Sequence, residues 1–461
     1  MKKIFVLCGI LIGVMLVASF FLNNRFDLVN EQVKQVNENA SKDNALPRID
    51  SKEKLTGYFK QILENGAENS YIFGAKEEKS SNLAAADSSG KQDVSETNVQ
   101  VEGVDEADLI KTDGQYIYQI GQNKVDIIQA APVEAMKYTG KITFDNNFAP
   151  TQLFLYQNQL LVIGNTINIS SQTEKAPAGT VTDTMMAPAF QATNAILYNV
   201  ENPQKPEKIR EIKLDGSYVS SRRIDGIVYL VTNHFPSYWL LAENENVDIR
   251  PMIKDTAVST KEHPIDYNEI QYFPDSNEAN FTIIAALNLE KPTEEASFTT
   301  YLGSGSQMYM SKKNLYFAVP KYLDQSIVEK GEMISPDSTI YKFAINDTKV
   351  SFHSQAEIKG TILNQFSMDE HHGHFRLVTT KGYAWDEKQP STNQLYIFDK
   401  NLKQVGEISN LGQGERIYSA RFLGDRIYMV TFKETDPLFV IDASNPAQPK
   451  VLGELKIPGL Q

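Results

Sequence analysis

The sequence predicts an all-β fold, a β-propeller of about six four-stranded blades, preceded by an N-terminal transmembrane helix and one short amphipathic helix. Three observations predict it. After residue 100, short aromatic-rich apolar runs recur between turn residues, with no sustained helical period. The runs group in fours, six times over. Tyr (21) and Phe (23) are abundant while Trp is rare (2), which suits strands more than helix bundles.

The second strand of each unit is the most legible: YIYQIG (116–121), LLVIG (160–164), IVYLVT (227–232), LYFAV (315–319), HFRLVTT (374–380) and RIYMVTF (426–432). Third strands align as VDIIQ (125–129), AILYNV (195–200), TIIAALNL (282–289), TIYKFAI (339–345), QLYIFD (394–399) and PLFVID (437–442). Fourth strands follow as MKYTGKI, EKIREIKLDG, ASFTTYLG, KVSFHSQAEIKG, KQVGEISNLG and PKVLGELKIPG. First strands read DLIKT, QLFLY, YVSSRRI, QMYMS, ILNQFSM and IYSARFL. Asp-Gly or Gly-Asp pairs at 113–114, 225–226 and 424–425 mark tight turns between first and second strands. VENPQKP and ASNPAQP separate third from fourth strands, where Asn-Pro starts a turn and the second Pro delays the next strand. A stack of β-sandwiches would need longer strands and about 100 residues per domain; these units run from about 40 to about 90. Most of that variation lies between second and third strands, with the longest insertion in the third unit. In a propeller these connections all open on one face, the usual place for binding loops on a rigid scaffold.

Ahead of the sheets, Lys2-Lys3 precede an uncharged apolar run from Ile4 to Leu22, about enough to cross a hydrocarbon core of roughly 30 Å. It is longer than the apolar region of a cleaved signal peptide, and cleavage after Ala18-Ser19 is the alternative reading. Residues 1–25 are therefore expected to form a single-pass anchor in the cell membrane, with a cytoplasmic N-terminus and an extracytoplasmic body. The only cysteine, Cys8, lies inside that run after Leu7, so the body has no disulfide. Residues 26–98 read as a juxtamembrane spacer, a helix over 51–66 and a Ser- and Ala-rich flexible linker. In the helix, Leu55, Tyr58, Phe59, Ile62 and Leu63 share a face, Ser51 caps the start and Gly66 marks the end. Residues 99–461 form the propeller domain. A net charge of −13 and pI near 5.1 exclude a nucleic-acid partner, which would demand a basic stripe.

The entry NVQVEGVDEADLIKTDGQYIY resembles the opening of a family of secreted bacterial and archaeal β-propeller proteins distantly related to WD-type repeats. The likeness continues in IRPMIKD (249–255), EIQYFPDSNEANFTIIAALNL (269–289), FSMDEHHGHFRLVTT (366–380) and IYSARFLGDRIYMVTF (417–432), and covers nearly everything after residue 97. The resemblance implies an exported propeller behind an N-terminal membrane segment, and no activity. Such proteins continue past the KIPG motif into further blades, whereas this chain stops at Gly459-Leu460-Gln461. Two expectations follow, a closed six-bladed ring or a shortened member with an open strand edge.

The functional candidates are few. In ETNVQVEGVDEADLIKTDG, Glu102, Asp105, Glu106, Asp108 and Asp113 crowd together, but the calcium-loop pattern D-x-[DN]-x-[DN]-G-x5-E fails around Gly114. A looser calcium site on Asp105, Glu106 and Asp108 is the minor reading. The major one is that Gly103 allows a tight bend, the carboxylates cap turns, and Leu109 and Ile110 start the first inner strand. His371, His372 and His374 form the one histidine tract, yet neighbouring strand residues point to opposite faces, so the tract reads as a solvated hairpin and no metal is assigned. GSGS (303–306) is a turn rather than a nucleophile motif, and Asp369-Glu370 are surface charge in preference to an acid–base pair. In the third unit's insertion, Phe235, Tyr238 and Trp239 are the binding candidates, set against a role as the insertion's own core. The expected function is a membrane-anchored extracytoplasmic binding or scaffold module for a protein or cell-envelope component. Two alternatives stand beside it: an envelope hydrolase with carboxylates at the channel mouth, and a truncated member without function.

Overall fold

The computed structural model describes residues 45–66, 99–168, 190–303 except 275 and 277, 307–321, 335–386, 390–433 and 436–457. The expected anchor (1–25), most of the spacer after it, the linker over 76–98 and Ser304–Ser306 lie outside these residues. Among the described residues, no helix is long and apolar enough to cross a membrane.

The alternating runs after residue 100 form six sheets, each built on four antiparallel strands in chain order. Sheet 1 spans 110–143, sheet 2 spans 148–215, sheet 3 spans 217–302, sheet 4 spans 307–358, sheet 5 spans 368–411 and sheet 6 spans 416–457. All six second strands and all six third strands fall on the expected runs. The fifth unit's first strand is the one displaced element. ILNQFSM was expected to be strand, but Gln365–Ser367 is a 3-10 turn and the strand is Met368–His371. The cause is local: the Asn364 side chain accepts a hydrogen bond from the Phe366 amide and so starts a turn.

The third unit's insertion, residues 235–280, is not a free loop. Its Met252–Asp255 strand joins the fourth strand of sheet 2, and its Ile270–Tyr272 strand lies parallel to the fourth strand of sheet 3. These segments thus widen two sheets at their outer edges.

Apolar side chains seal each sheet against the next. Val125 and Ile127 of sheet 1 meet Leu153, Leu160 and Val162 of sheet 2. Leu161 and Ile163 of sheet 2 meet Val228, Leu230 and Ile283 of sheet 3. Phe273 and Tyr301 stand against Tyr341 and Phe343 of sheet 4, with ring centroids 4.5–4.9 Å apart. Tyr316 of sheet 4 stacks on Phe375 of sheet 5 at 3.9 Å, and Leu395 and Ile397 of sheet 5 pack on Ile427 and Met429 of sheet 6. Each large side chain so buried stabilises by roughly 1.5–3 kcal/mol relative to exposure.

Sheets in the middle of the chain are covered on both faces, and their strands read as continuous apolar runs. Val228–Thr232 and Phe281–Leu287 are buried without interruption. The end sheets differ. In sheet 6, Ile427, Met429 and Thr431 are buried while Tyr428 and Val430 are only half-buried and Phe432 is exposed. Leu455 of sheet 6 and Ile110 and Tyr138 of sheet 1 are also exposed.

The helix Lys52–Gly66 belongs to the same compact unit as the sheets. Ser51 Oγ accepts from the Lys54 amide and caps it. Leu55 and Phe59 are fully buried against Ile270, Phe281 and Leu241. Tyr58 donates to the Ser276 carbonyl at 3.1 Å, and the Ile49 amide before the helix donates to the Ile270 carbonyl. One amphipathic helix cannot bury its stripe alone; this one uses sheet 3 and its insertion.

Candidate functional site

The acidic entry stretch passes the first strands of successive sheets. Gln100 Nε2 donates to the carbonyls of Gln365 and Met368 in the fifth unit. Gly103 has φ +77° and lies so close to the Lys312 side chain of the fourth unit that a Cβ there would stand 2.2 Å from it. Asp105–Glu106 pair antiparallel with Arg222–Arg223 of sheet 3, and Asp108 bridges to Leu153 of sheet 2. The chain then enters sheet 1 at Ile110. Arg222 Nη2 also reaches Gln365 Oε1 at 2.7 Å, so the first strand of sheet 3 meets the 3-10 turn that leads into sheet 5 beside this segment.

Asp105, Glu106, Asp108 and Asp113 each face a basic side chain or a backbone amide. Asp105 accepts from Lys111 at 2.8 Å and from Arg223 at 3.0 Å, Glu106 stands 3.3 Å from Arg222, and Asp108 accepts from the Leu109 amide. Three cations around two of the three acids answer their charge without a metal ion. The major sequence reading gives these carboxylates turn-capping roles; Asp108 and Asp113 do accept from backbone amides, whereas Asp105 and Glu106 pair with basic side chains. Asp369 is likewise bound to Arg376, and Glu370 accepts from Ser311, Asn314 and Tyr316.

Chain direction divides the connections between two faces. Turns between first and second, and between third and fourth strands, lie on one face; second-to-third connections lie on the other with the links between sheets. Both tryptophans of the chain sit on second-to-third connections, Trp239 in the third unit and Trp385 in the fifth, 50% and 70% exposed. Phe235 is 68% exposed and Tyr383 41%. The three sequence candidates therefore separate. Phe235 and Trp239 face solvent, whereas Tyr238 is half-buried and stacks on Phe59 of the helix at 5.4 Å. Leu241, three residues on, is fully buried. Sequence reasoning missed Trp385, whose signal was its place in GYAWDEKQP, a polar connection between two apolar strands. Lys433 from the sixth unit's connection lies over its ring at 5.4 Å.

A buried ion pair fixes this insertion. Arg210 of sheet 2 donates from Nε to Asp255 Oδ1 at 2.8 Å and from Nη2 to Oδ2 at 2.5 Å, and both side chains are almost wholly buried. The amides of Ala257 and Ala296 complete the carboxylate's shell. Burial alone would raise the Asp255 pKa; the Arg210 fork and the two amides outweigh it and hold the carboxyl below its ordinary range. Beside it, burial opposes ionisation of Glu211, but Lys208 and Lys254 bring its pKa down to about 2. His234, at the end of the second strand of sheet 3, is desolvated against Phe281, and burial lowers its pKa to about 4.

On the opposite face the histidine tract forms the expected hairpin, but its neighbouring histidines do not part. His372 does not continue the strand. It occupies a tight turn with φ +49°, followed by Gly373 at φ +75°. The turn brings the His372 ring within 4.0 Å of the His371 ring, where an extended strand would have parted them.

A family profile described as Beta propeller domain matches residues 94–461. The chain belongs to that β-propeller family. An uncharacterized protein of Methanocaldococcus jannaschii is 30% identical over 513 aligned residues, covering 93% of this chain and 73% of the relative. An uncharacterized protein of Archaeoglobus fulgidus is 27% identical, covering 79% of this chain and 64% of its own length. Solved structures with some likeness include an apocarotenoid oxygenase mutant of Synechocystis (TM-score 0.32, 9% identity, 76% of this chain and 71% of that one). A Mycobacterium tuberculosis puromycin-hydrolyzing peptidase gives TM-score 0.33 at 10% identity, over 77% of this chain and 46% of that one. Scores this low carry no functional argument.

Proposed function

We propose that this protein is a six-bladed, membrane-anchored extracytoplasmic propeller that binds a protein or cell-envelope component on its second-to-third-strand face. The observation that carries the reading is the exposure of both tryptophans, with Phe235 and Tyr383, on that face. Large aromatics left in water cost solvation, and they are the side chains that anchor interfaces when a partner covers them. The buried Arg210–Asp255 pair and the docked helix support it, because they hold the insertion carrying Phe235 and Trp239 in place. Preorganised loops lose less entropy on binding.

The anchor part of the proposal rests on the apolar run Ile4–Leu22 behind Lys2-Lys3. The six-blade part rests on the six sheets and on the passage of the entry stretch past units five to two into sheet 1. The hydrolase alternative needs a convergent pair of unengaged acids near the channel; Asp105, Glu106, Asp369 and Glu370 are each held by basic or hydrogen-bonding neighbours.

The test uses the full chain and the Trp239→Ala and Trp385→Ala variants, each challenged with solubilised cell envelope. Binding is expected to weaken at least tenfold in one variant or both while the melting temperature stays unchanged. Undiminished binding in both would overturn the assignment of this face.

A further inference from the structure

We propose that His371, His372 and Asp425 form a binding site for one divalent first-row transition ion, best suited to zinc, on the face opposite the exposed tryptophans. His371 and His372 come from the turn between first and second strands of sheet 5, and Asp425 from the equivalent turn of sheet 6. One ligand atom from each lies within 4.8 Å of the others. His371 Nε2 is already 3.1 Å from Asp425 Oδ1. Two ligands of a tetrahedral zinc ion, each about 2.1 Å from the metal, stand about 3.4 Å apart. The His372 ring lies beside the pair, its centroid 4.0 Å from that of His371, and makes no hydrogen bond to the described residues.

A second observation falls at the same place. The three ligands, with Arg376 and Ser444, border an open cleft of about 240 Å³. Arg376 does not compete for the acid at the site, because its guanidinium is bound to Asp369 and to the Gly424 carbonyl. Two imidazoles and one carboxylate are a borderline donor set, which favours zinc and its neighbours over calcium or magnesium. Three protein ligands leave a coordination position toward the cleft, the arrangement that accepts an exogenous oxygen ligand. The competing account is that His371–Asp425 is only a pair clipping sheet 5 to sheet 6. That account gives the His372 ring nothing to do beyond its contact with the His371 ring.

The test is zinc titration of the full chain, purified without a histidine tag, by calorimetry and by the shift of the melting curve. His372→Asn is the variant of choice, since Asn tolerates the left-handed turn and leads directly into Gly373. Asp425→Asn is the second variant and keeps the other turn's shape; His263→Gln, in the insertion on the other face, is the control. One zinc per chain is expected, with affinity at least tenfold weaker in each site variant and unchanged in the control. Either failure of the wild type to bind zinc at millimolar concentration, or equal affinity in the wild type and both site variants, overturns the site. Calcium binding as tight as zinc and insensitive to His372→Asn would overturn it as well.

Discussion

The two faces of the sheet assembly are built from the same strands and differ in almost everything else. The second-to-third-strand face carries the long insertions and both tryptophans, and a buried ion pair holds the largest insertion along the outer edge of sheet 2. The opposite face carries turns of a few residues, yet it brings two histidines and an aspartate from different units together. Length supplies area and shape on one side. On the other, the fixed spacing of neighbouring sheets places short turns with enough precision for coordination chemistry. On the proposed reading, insertion length is a guide to the docking face and a poor guide to the proposed ion site.

That contrast can be broken by removing what holds the insertion. Arg210→Ala leaves the Asp255 carboxylate buried without its cation and is expected to destabilise the protein by about 3–5 kcal/mol in denaturant unfolding. Replacing both partners by apolar residues of similar volume should cost much less, since no uncompensated charge is left behind. If Arg210→Ala costs no more than a surface change, the insertion is not anchored as described.

The next effect is pH-dependent and belongs to the same face. The unfolded chain protonates His234 near its ordinary value of 6.5, while burial keeps the folded form neutral down to about 4. Between those values the unfolded state binds the extra proton, so stability falls as pH falls, and above 6.5 the contribution is fully present. At 1.36 kcal/mol per unit, the loss amounts to roughly 3 kcal/mol. Melting curves from pH 7 to 4 should show this slope, and His234→Gln should flatten it.

The smallest stability effects should be those of the functional candidates. Trp385→Ala, Trp239→Ala and His372→Asn remove exposed side chains and are expected to shift stability by no more than about 0.5 kcal/mol. Their effects should appear in binding alone, on partner capture for the tryptophans and on zinc for the histidine. A large loss of stability in any of them would make that residue structural.

Much of this was legible in the sequence because strands buried on one or both faces leave an apolar pattern with fixed periods. IVYLVT and RIYMVTF announce themselves as strands, and the Asn-Pro turns separate third from fourth strands. ILNQFSM misled because its apolar residues straddle a turn started by one side chain, Asn364, which periodicity cannot see. Tyr238 and Trp239 are neighbours of equal appearance, and only the docked helix decides that one is covered and the other exposed. The pairing of His371 and His372 with Asp425 lay hidden for another reason. It joins turns 53 residues apart at the nearest ligands, since 425 less 372 is 53, and depends on a backbone angle at His372 that the tract HHGH signals only through its glycine.

The most direct test of the central claim is acrylamide quenching of the chain's two tryptophans, free and in complex with the captured envelope component. Both are exposed in the free protein and lie on the proposed docking face. The account predicts ready quenching in the free chain and strong protection of one or both rings, with emission moved to shorter wavelength, in the complex. Quenching that is the same in the complex as in the free chain would place the partner elsewhere and contradict the account.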